Sequence, residues 1–218
     1  MRTPTNESAA ARERVRKHFE QKAVEFDDLY EDEHLLNRLF RPGLFRRRDF
    51  ALAVARDYAS PSVLDVGCGS GRIGELALEQ GADAYIGVDF SEPMVRMAER
   101  RLARFGSRAK LLQGDFLEVP LKGPFEVVVG LGLFDYLPEP HRFARRMYEL
   151  CSGSVAASFP RWNWLKGPVR KIRYEMMNNC PIFDYTEREL RFLFGAAGFS
   201  RVEVVPRGRT GFLVRADR

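Results

Sequence analysis

The order of apolar segments predicts an α/β fold: a mostly parallel sheet with helices on both faces, preceded by an N-terminal helical cap. Three observations carry this. From residue 63 onward, short apolar runs alternate with stretches of helical periodicity, which is the pattern of a parallel sheet with right-handed crossovers. A glycine-rich turn, Gly67 to Gly71, follows the first of those runs. The chain closes with two apolar runs around Pro206 and Gly211, a hairpin signal that demands one antiparallel strand.

Residues 1–8 show no periodicity. Residues 9–26 read as a helix with Val15, Phe19, Ala23 and Phe26 on one face. Leu35, Leu36, Leu39 and Phe40 suggest a second, short helix, stopped by Pro42 and Gly43. A third covers about 44–58 and carries Phe45, Phe50, Leu52 and Val54. Strand 63–66 and helix 71–80 follow, then strand 84–88. Ser91, Glu92 and Pro93 open a helix whose Met94, Met97, Ala98 and Leu102 share a face. Strand 110–113 comes next. Strand 125–129 is almost wholly apolar, as burial on both faces requires. Helix 139–151, strand 155–159, helix 186–197 (ended by Gly195 or Gly198) and strands 202–205 and 212–214 complete the chain. The whole, 1–218, reads as one domain. It comprises a cap (1–60), a ligand-binding core (61–158), an insertion (159–184) and a C-terminal helix with hairpin (185–218).

Composition narrows the class. Apolar residues make up 45% and charged residues 30% of 218, as in a globular protein. No apolar run is long enough to span a membrane, and the N-terminus lacks the apolar stretch of a secretory signal. Cys68, Cys151 and Cys180 are too few and too scattered for a disulfide framework or a zinc site. A reduced, cytoplasmic protein is expected, with no metal. The net charge of +5 is modest for a nucleic-acid binder. The basic residues cluster locally, at Arg46, Arg47 and Arg48 and again at Arg161, Lys166, Arg170, Lys171 and Arg173. No oligomeric state follows from the sequence.

The glycine turn contains Gly69, Gly71 and Gly74 in the spacing of a dinucleotide fingerprint. It also contains Asp65, Gly67, Cys68, Gly69 and Gly71, a pattern that begins with a carboxylate. The carboxylate discriminates. A pyrophosphate prefers bare N–H groups at a helix start and is repelled by an acid. S-adenosylmethionine has no phosphate; it carries a sulfonium and an ammonium, which an acid attracts. Asp89 falls at the tip of the next strand, where a carboxylate accepts ribose hydroxyls, with Phe90 and Met94 placed to pack on adenine. Asp115 after the third strand can accept the adenine amino group while Phe116 stacks on the ring.

These motifs, together with Phe125 to Gly130, resemble the ordered motifs of class I S-adenosylmethionine-dependent methyltransferases across roughly 62–135. The resemblance implies a Rossmann-like seven-stranded sheet in the order 3-2-1-4-5-7-6 with strand 7 antiparallel. It implies S-adenosylmethionine as methyl donor and S-adenosylhomocysteine as product. Asp65, Gly67, Cys68, Gly69 and Gly71 would hold the methionine moiety, Asp89 the ribose, and Asp115 with Phe116 the adenine. Gly130 and Leu131 would line the cofactor. The cap is similar to that of ubiquinone/menaquinone-type and magnesium-protoporphyrin-type enzymes, which makes Tyr30 a contact.

The segment 130–136 should face the transferring methyl. It lacks the signatures of exocyclic base, cytosine-C5 and protein-arginine methylation, which points to a small-molecule acceptor. Methyl transfer from a sulfonium is an in-line displacement governed by alignment and desolvation. A base helps when the acceptor is a phenol or ammonium, and Asp135, Tyr136 and His141 are the candidates. Trp162, Trp164, Arg170, Arg173 and Tyr174 of the insertion suit an aromatic or anionic acceptor. An RNA methyltransferase and an NAD(P)-dependent oxidoreductase are the competing expectations.

Overall fold

The computed structural model describes residues 42–161, 182–206, 208 and 211–218. The expected helices at 9–26 and 35–40 and most of the insertion lie outside the described residues. The first described element is helix α1 (Pro42–Arg56). α1 begins at Pro42, two residues before the expected start at 44; there its missing N–H costs nothing and its fixed φ suits the first turn. Strand β1 (Ser62–Val66), helix α2 (Arg72–Glu79), β2 (Ala84–Asp89) and α3 (Glu92–Leu102) follow. After a 3₁₀ segment (Ala103–Arg108) come β3 (Ala109–Gln113), β4 (Phe125–Gly130), a 3₁₀ turn (Phe134–Tyr136) and α4 (Pro140–Leu150). The chain closes with β5 (Cys151–Pro160), α5 (Glu187–Ala197), β6 (Arg201–Pro206) and β7 (Gly211–Asp217).

The seven strands form one sheet in the order β3-β2-β1-β4-β5-β7-β6. β1 to β5 are parallel neighbours, and β7 runs antiparallel between β5 and β6. This is the order the sequence resemblance implied. β5 and β7 are longer than expected, because β7 is inserted between two strands and pairs along its whole length from Gly211 to Asp217. α5 begins at a capping box: the Thr186 hydroxyl accepts from Glu189 N–H while the Glu189 carboxylate accepts from Thr186 N–H. It ends at Gly198, with φ 119°, rather than at Gly195.

The strand alternation builds a core on each side. Leu64, Val66, Val128, Val155 and Val214 face Phe134, Phe143, Met147, Phe159, Leu190 and Phe194 beneath α4 and α5. Val63, Val127, Val129 and Ala156 face Ala51, Leu52, Val54, Ala55, Ala77 and Leu78 of α1 and α2. Each fully buried valine, leucine, phenylalanine or methionine among them contributes on the order of 1.5–3 kcal/mol. Two covered faces leave the carboxyl ends of the parallel strands as the place for a ligand.

Candidate functional site

The β1–α2 turn sits at those carboxyl ends. Gly67, Gly69 and Gly71 all have positive φ, at 73°, 53° and 81°. Gly67 and Cys68 N–H both donate to Val88 O, at 2.8 and 3.1 Å, so the turn is stitched to β2. At Gly71 a Cβ would come within 3.0 Å of Ala98 Cβ and 3.2 Å of Ala98 Cα, so only glycine lets α3 pack this close. Arg101 Nε donates to Ser70 O at 2.9 Å and holds the turn from the α3 side.

Two carboxylates lie under the turn. Asp89 is 8% exposed and accepts with both oxygens: Oδ2 from Gly69 N–H and Oδ1 from Ser91 N–H, each at 2.9 Å. Each oxygen keeps a lone pair for a further donor such as a ribose hydroxyl. Burial pushes the Asp89 carboxyl up, and these main-chain donors pull it back. Asp65 is 2% exposed, and its Oδ2 accepts the Tyr85 hydroxyl at 2.9 Å. Burial lifts its carboxyl to about 7, opposed by the Tyr85 bond and reinforced by the neighbouring Asp89 charge. Asp65 therefore lies beneath the floor of the site, not on an open rim.

The remaining cofactor candidates divide. Met94 is buried on α3, with its sulfur 4.0 Å from where a Gly69 Cβ would stand. Phe90 is half-buried beside it in the chain. The Cys68 side chain turns inward into the core cluster that includes Ala51, Ala77 and Tyr85, and its carbonyl accepts from Gly71 N–H at 3.1 Å. Asp115 is half-buried, and its Oδ1 accepts from Leu117 N–H at 2.9 Å, fixing the turn after β3. The expected stacking role of Phe116 is corrected: the ring is 4% exposed and is engaged by Phe143 (centroids 5.6 Å apart) and the Arg146 guanidinium (5.3 Å). Gly130 is buried at the end of β4, and Leu131 packs on the α1 side of the core. Tyr30 lies outside the described residues.

On the acceptor side, Asp135 is 5% exposed on the 3₁₀ turn and Tyr136 is half-buried next to it. Their segment is fixed at three points: Gly132 N–H donates to Ser158 Oγ (2.8 Å), Phe183 N–H to Asp135 O (2.9 Å), and the Tyr185 hydroxyl to Phe134 O (3.1 Å). Burial and the Asp135 charge both hold the Tyr185 phenol protonated. His141 is exposed in the first turn of α4, and no hydrogen bond joins it to Asp135 or Tyr136. Trp162, Trp164, Arg170, Arg173 and Tyr174 lie outside the described residues.

The residue that sequence reasoning missed is Arg47. It projects from α1 to Gly132, where its Nη1 lies 3.0 Å from the position a Cβ would take. Its Nε is buried without a hydrogen-bond partner, and it forms no ion pair among the described residues. Gly67, across the same loop, would place a Cβ 3.4 Å from Leu133. A cation that forgoes a partner in so enclosed a position is costly unless a ligand anion completes it. Its only sequence signal was membership of an arginine cluster.

The strand order is that of the class I methyltransferase fold, as the sequence resemblance implied. Residues 63–153 match the family model described as a methyltransferase domain. The chain is 33% identical over 97 residues to a demethylmenaquinone methyltransferase of Thermus thermophilus, covering 43% of this chain and 44% of that protein. It spans about half the length of the curated relatives it matches. The magnesium protoporphyrin IX methyltransferase of Synechocystis PCC 6803, solved with bound SAH, superposes with a TM-score of 0.75 at 21% identity, over 95% of this chain and 99% of that one. The Burkholderia thailandensis 1,6-didemethyltoxoflavin-N1-methyltransferase superposes at 0.72 with 20% identity, over 100% and 93%.

Proposed function

We propose that the chain is an S-adenosylmethionine-dependent methyltransferase acting on a small-molecule acceptor that is planar or anionic. The carrying observation is the charge layout: two buried carboxylates under the glycine turn, and at Gly132 in the loop after β4 the Arg47 guanidinium, which has no ion pair among the described residues. That layout complements an amino acid bearing an extra cation, and it repels a pyrophosphate. When bound, the cofactor supplies a methyl group on a sulfonium. Asp89 accepts the ribose hydroxyls, Arg47 pairs with the methionine carboxylate, and Asp65 favours positive charge above it. Asp115 and the main chain of its turn orient the adenine. Asp135 and Tyr136 align the acceptor or take its proton, with Tyr30, Trp162, Trp164, Arg170, Arg173 and Tyr174 as further contacts.

A small acceptor fits the surface better than RNA does. Among the described residues, arginines of the outer helices pair with nearby acids, as in Arg96–Glu92, Arg104–Glu75, Arg145–Glu149 and Arg191–Glu187, which reduces the positive charge those helices offer a phosphate backbone. Relatives named for porphyrin, toxoflavin and quinone substrates support the same class. Calorimetry with S-adenosylmethionine and S-adenosylhomocysteine tests the reading, followed by a screen of phenolic, carboxylic and amine acceptors with labelled methyl. Asp89→Ala should abolish binding of both ligands; undiminished binding would reject the assignment.

A further inference from the structure

A cavity of about 400 Å³ opens beyond the ends of β5 and β6 and the start of β7, lined by Arg161, Tyr185, Thr186, Glu187, Pro206 and Phe212. Its polar groups are settled except one. Glu187 pairs with Arg191, at 2.8 Å. Thr186 is committed to the capping box of α5. The Tyr185 hydroxyl is committed to Phe134 O. The Arg161 guanidinium lies over the Phe212 ring, 5.4 Å from its centroid, and forms no ion pair among the described residues. It is exposed, so its donors are open to a ligand. α5 begins in the same wall, which turns the positive end of its dipole toward the cavity.

The cavity is coupled to the reaction side of the sheet. Arg161 and Tyr185 form a parallel bridge, and Tyr185 N–H donates to Pro160 O at 3.2 Å. Through its hydroxyl the same Tyr185 holds the turn that carries Asp135. An arginine stacked on a buried phenyl ring is held in place and presents a planar fork of donors that binds a carboxylate in two places. We propose that this cavity is an anion subsite for the distal carboxylate of a planar acceptor, with Arg161 as the recognising residue and Phe212 as its platform. The inference rests on the methyltransferase reading and deepens it: the acceptor carries its acid at a distance from the atom that is methylated.

The test is direct binding of 2-naphthoate and of its neutral isostere 2-naphthamide to the full chain, followed by NMR and calorimetry with S-adenosylhomocysteine present. Wild type should bind naphthoate saturably, with shifts at Arg161 and Tyr185, and bind the amide at least 10-fold more weakly. Arg161→Ala should lose at least 10-fold in naphthoate affinity and keep its Tm and its S-adenosylhomocysteine affinity; Arg161→Lys should fall between. No naphthoate binding, equal binding of the amide, or an unchanged affinity in Arg161→Ala would overturn the subsite. Loss of S-adenosylhomocysteine binding by wild type would instead fail the methyltransferase reading, and the two failures are separate measurements.

Discussion

Tyr85 and Asp65 are joined across neighbouring strands: the phenol hydroxyl donates to Asp65 Oδ2 at 2.9 Å, with both side chains buried. Tyr85 stands opposite Val63 in the β1–β2 ladder and reaches two residues along β1, on the same face. The bond is the one side-chain donor seen on that carboxylate among the described residues. Tyr85→Phe leaves a buried acceptor without it, which should cost about 1–3 kcal/mol of stability. Urea denaturation at pH 7.5 measures the loss. A variant as stable as wild type would mean that Asp65 finds another donor.

The same carboxylate sets a pH dependence. Unfolded, an aspartate titrates near 4; in the native protein burial lifts Asp65 to about 7. Between these values the native state holds a proton that the unfolded chain has released. Stability of the ligand-free protein therefore falls as pH rises through this window, by at most about 1.4 kcal/mol per pH unit, and the fall ends above the native value. A ligand ammonium near Asp65 favours the ionised form, so S-adenosylhomocysteine affinity should rise with pH across the same range and binding should release a proton. Calorimetry in buffers of differing ionisation enthalpy reads the proton. Asp65→Asn should flatten both profiles.

Arg47 yields a prediction that separates one part of the ligand from the rest. Arg47→Ala should weaken S-adenosylhomocysteine by roughly 10-fold, about 1.4 kcal/mol. It should leave 5′-methylthioadenosine, which has no carboxylate, unchanged. Arg47→Lys should recover part of the loss, because charge survives and the planar fork does not. Equal losses for both ligands would show that Arg47 acts on the loop through Gly132 rather than on the carboxylate.

The sheet was legible because its strands are buried on both faces, so apolar runs such as 125–129 stand out, and because glycine and acid fall at successive strand ends. Asp89 could be placed from its spacing in the chain, which puts it at the end of β2. Asp65 and Phe116 were only half legible. Sequence reveals an acid before the glycines and an aromatic after Asp115, but not that Tyr85 lies over the one and that Phe143 and Arg146 enclose the other. Those contacts come from strands and helices distant in the chain. Arg47 was hidden for the same reason: its meaning depends on Gly132, which reaches it only once α1 packs against the sheet. The start of α1 was placed two residues late because a proline is equally at home after a helix and in its first turn.

Gly74 ties helix α2 to the buried acid and gives the sharpest packing test. A Cβ there would lie 2.5 Å from Tyr85 Cε1 and Cζ and 2.9 Å from Cδ1. Alanine normally gains up to about 1 kcal/mol over glycine within a helix. Here the ring in the way is 1% exposed and its hydroxyl is held by Asp65, so it cannot swing aside without breaking that bond. Gly74→Ala should therefore destabilise the protein by about 1–3 kcal/mol and weaken S-adenosylhomocysteine binding, although residue 74 need touch no ligand. The two effects should share a cause. In a Tyr85→Leu background the ring is gone, and the same glycine-to-alanine change should become neutral or stabilising. A double-mutant cycle measures that coupling: additive effects would mean that the turn, the ring and the carboxylate do not act as a unit, while strong coupling would trace cofactor affinity to a packing contact on the far side of β2.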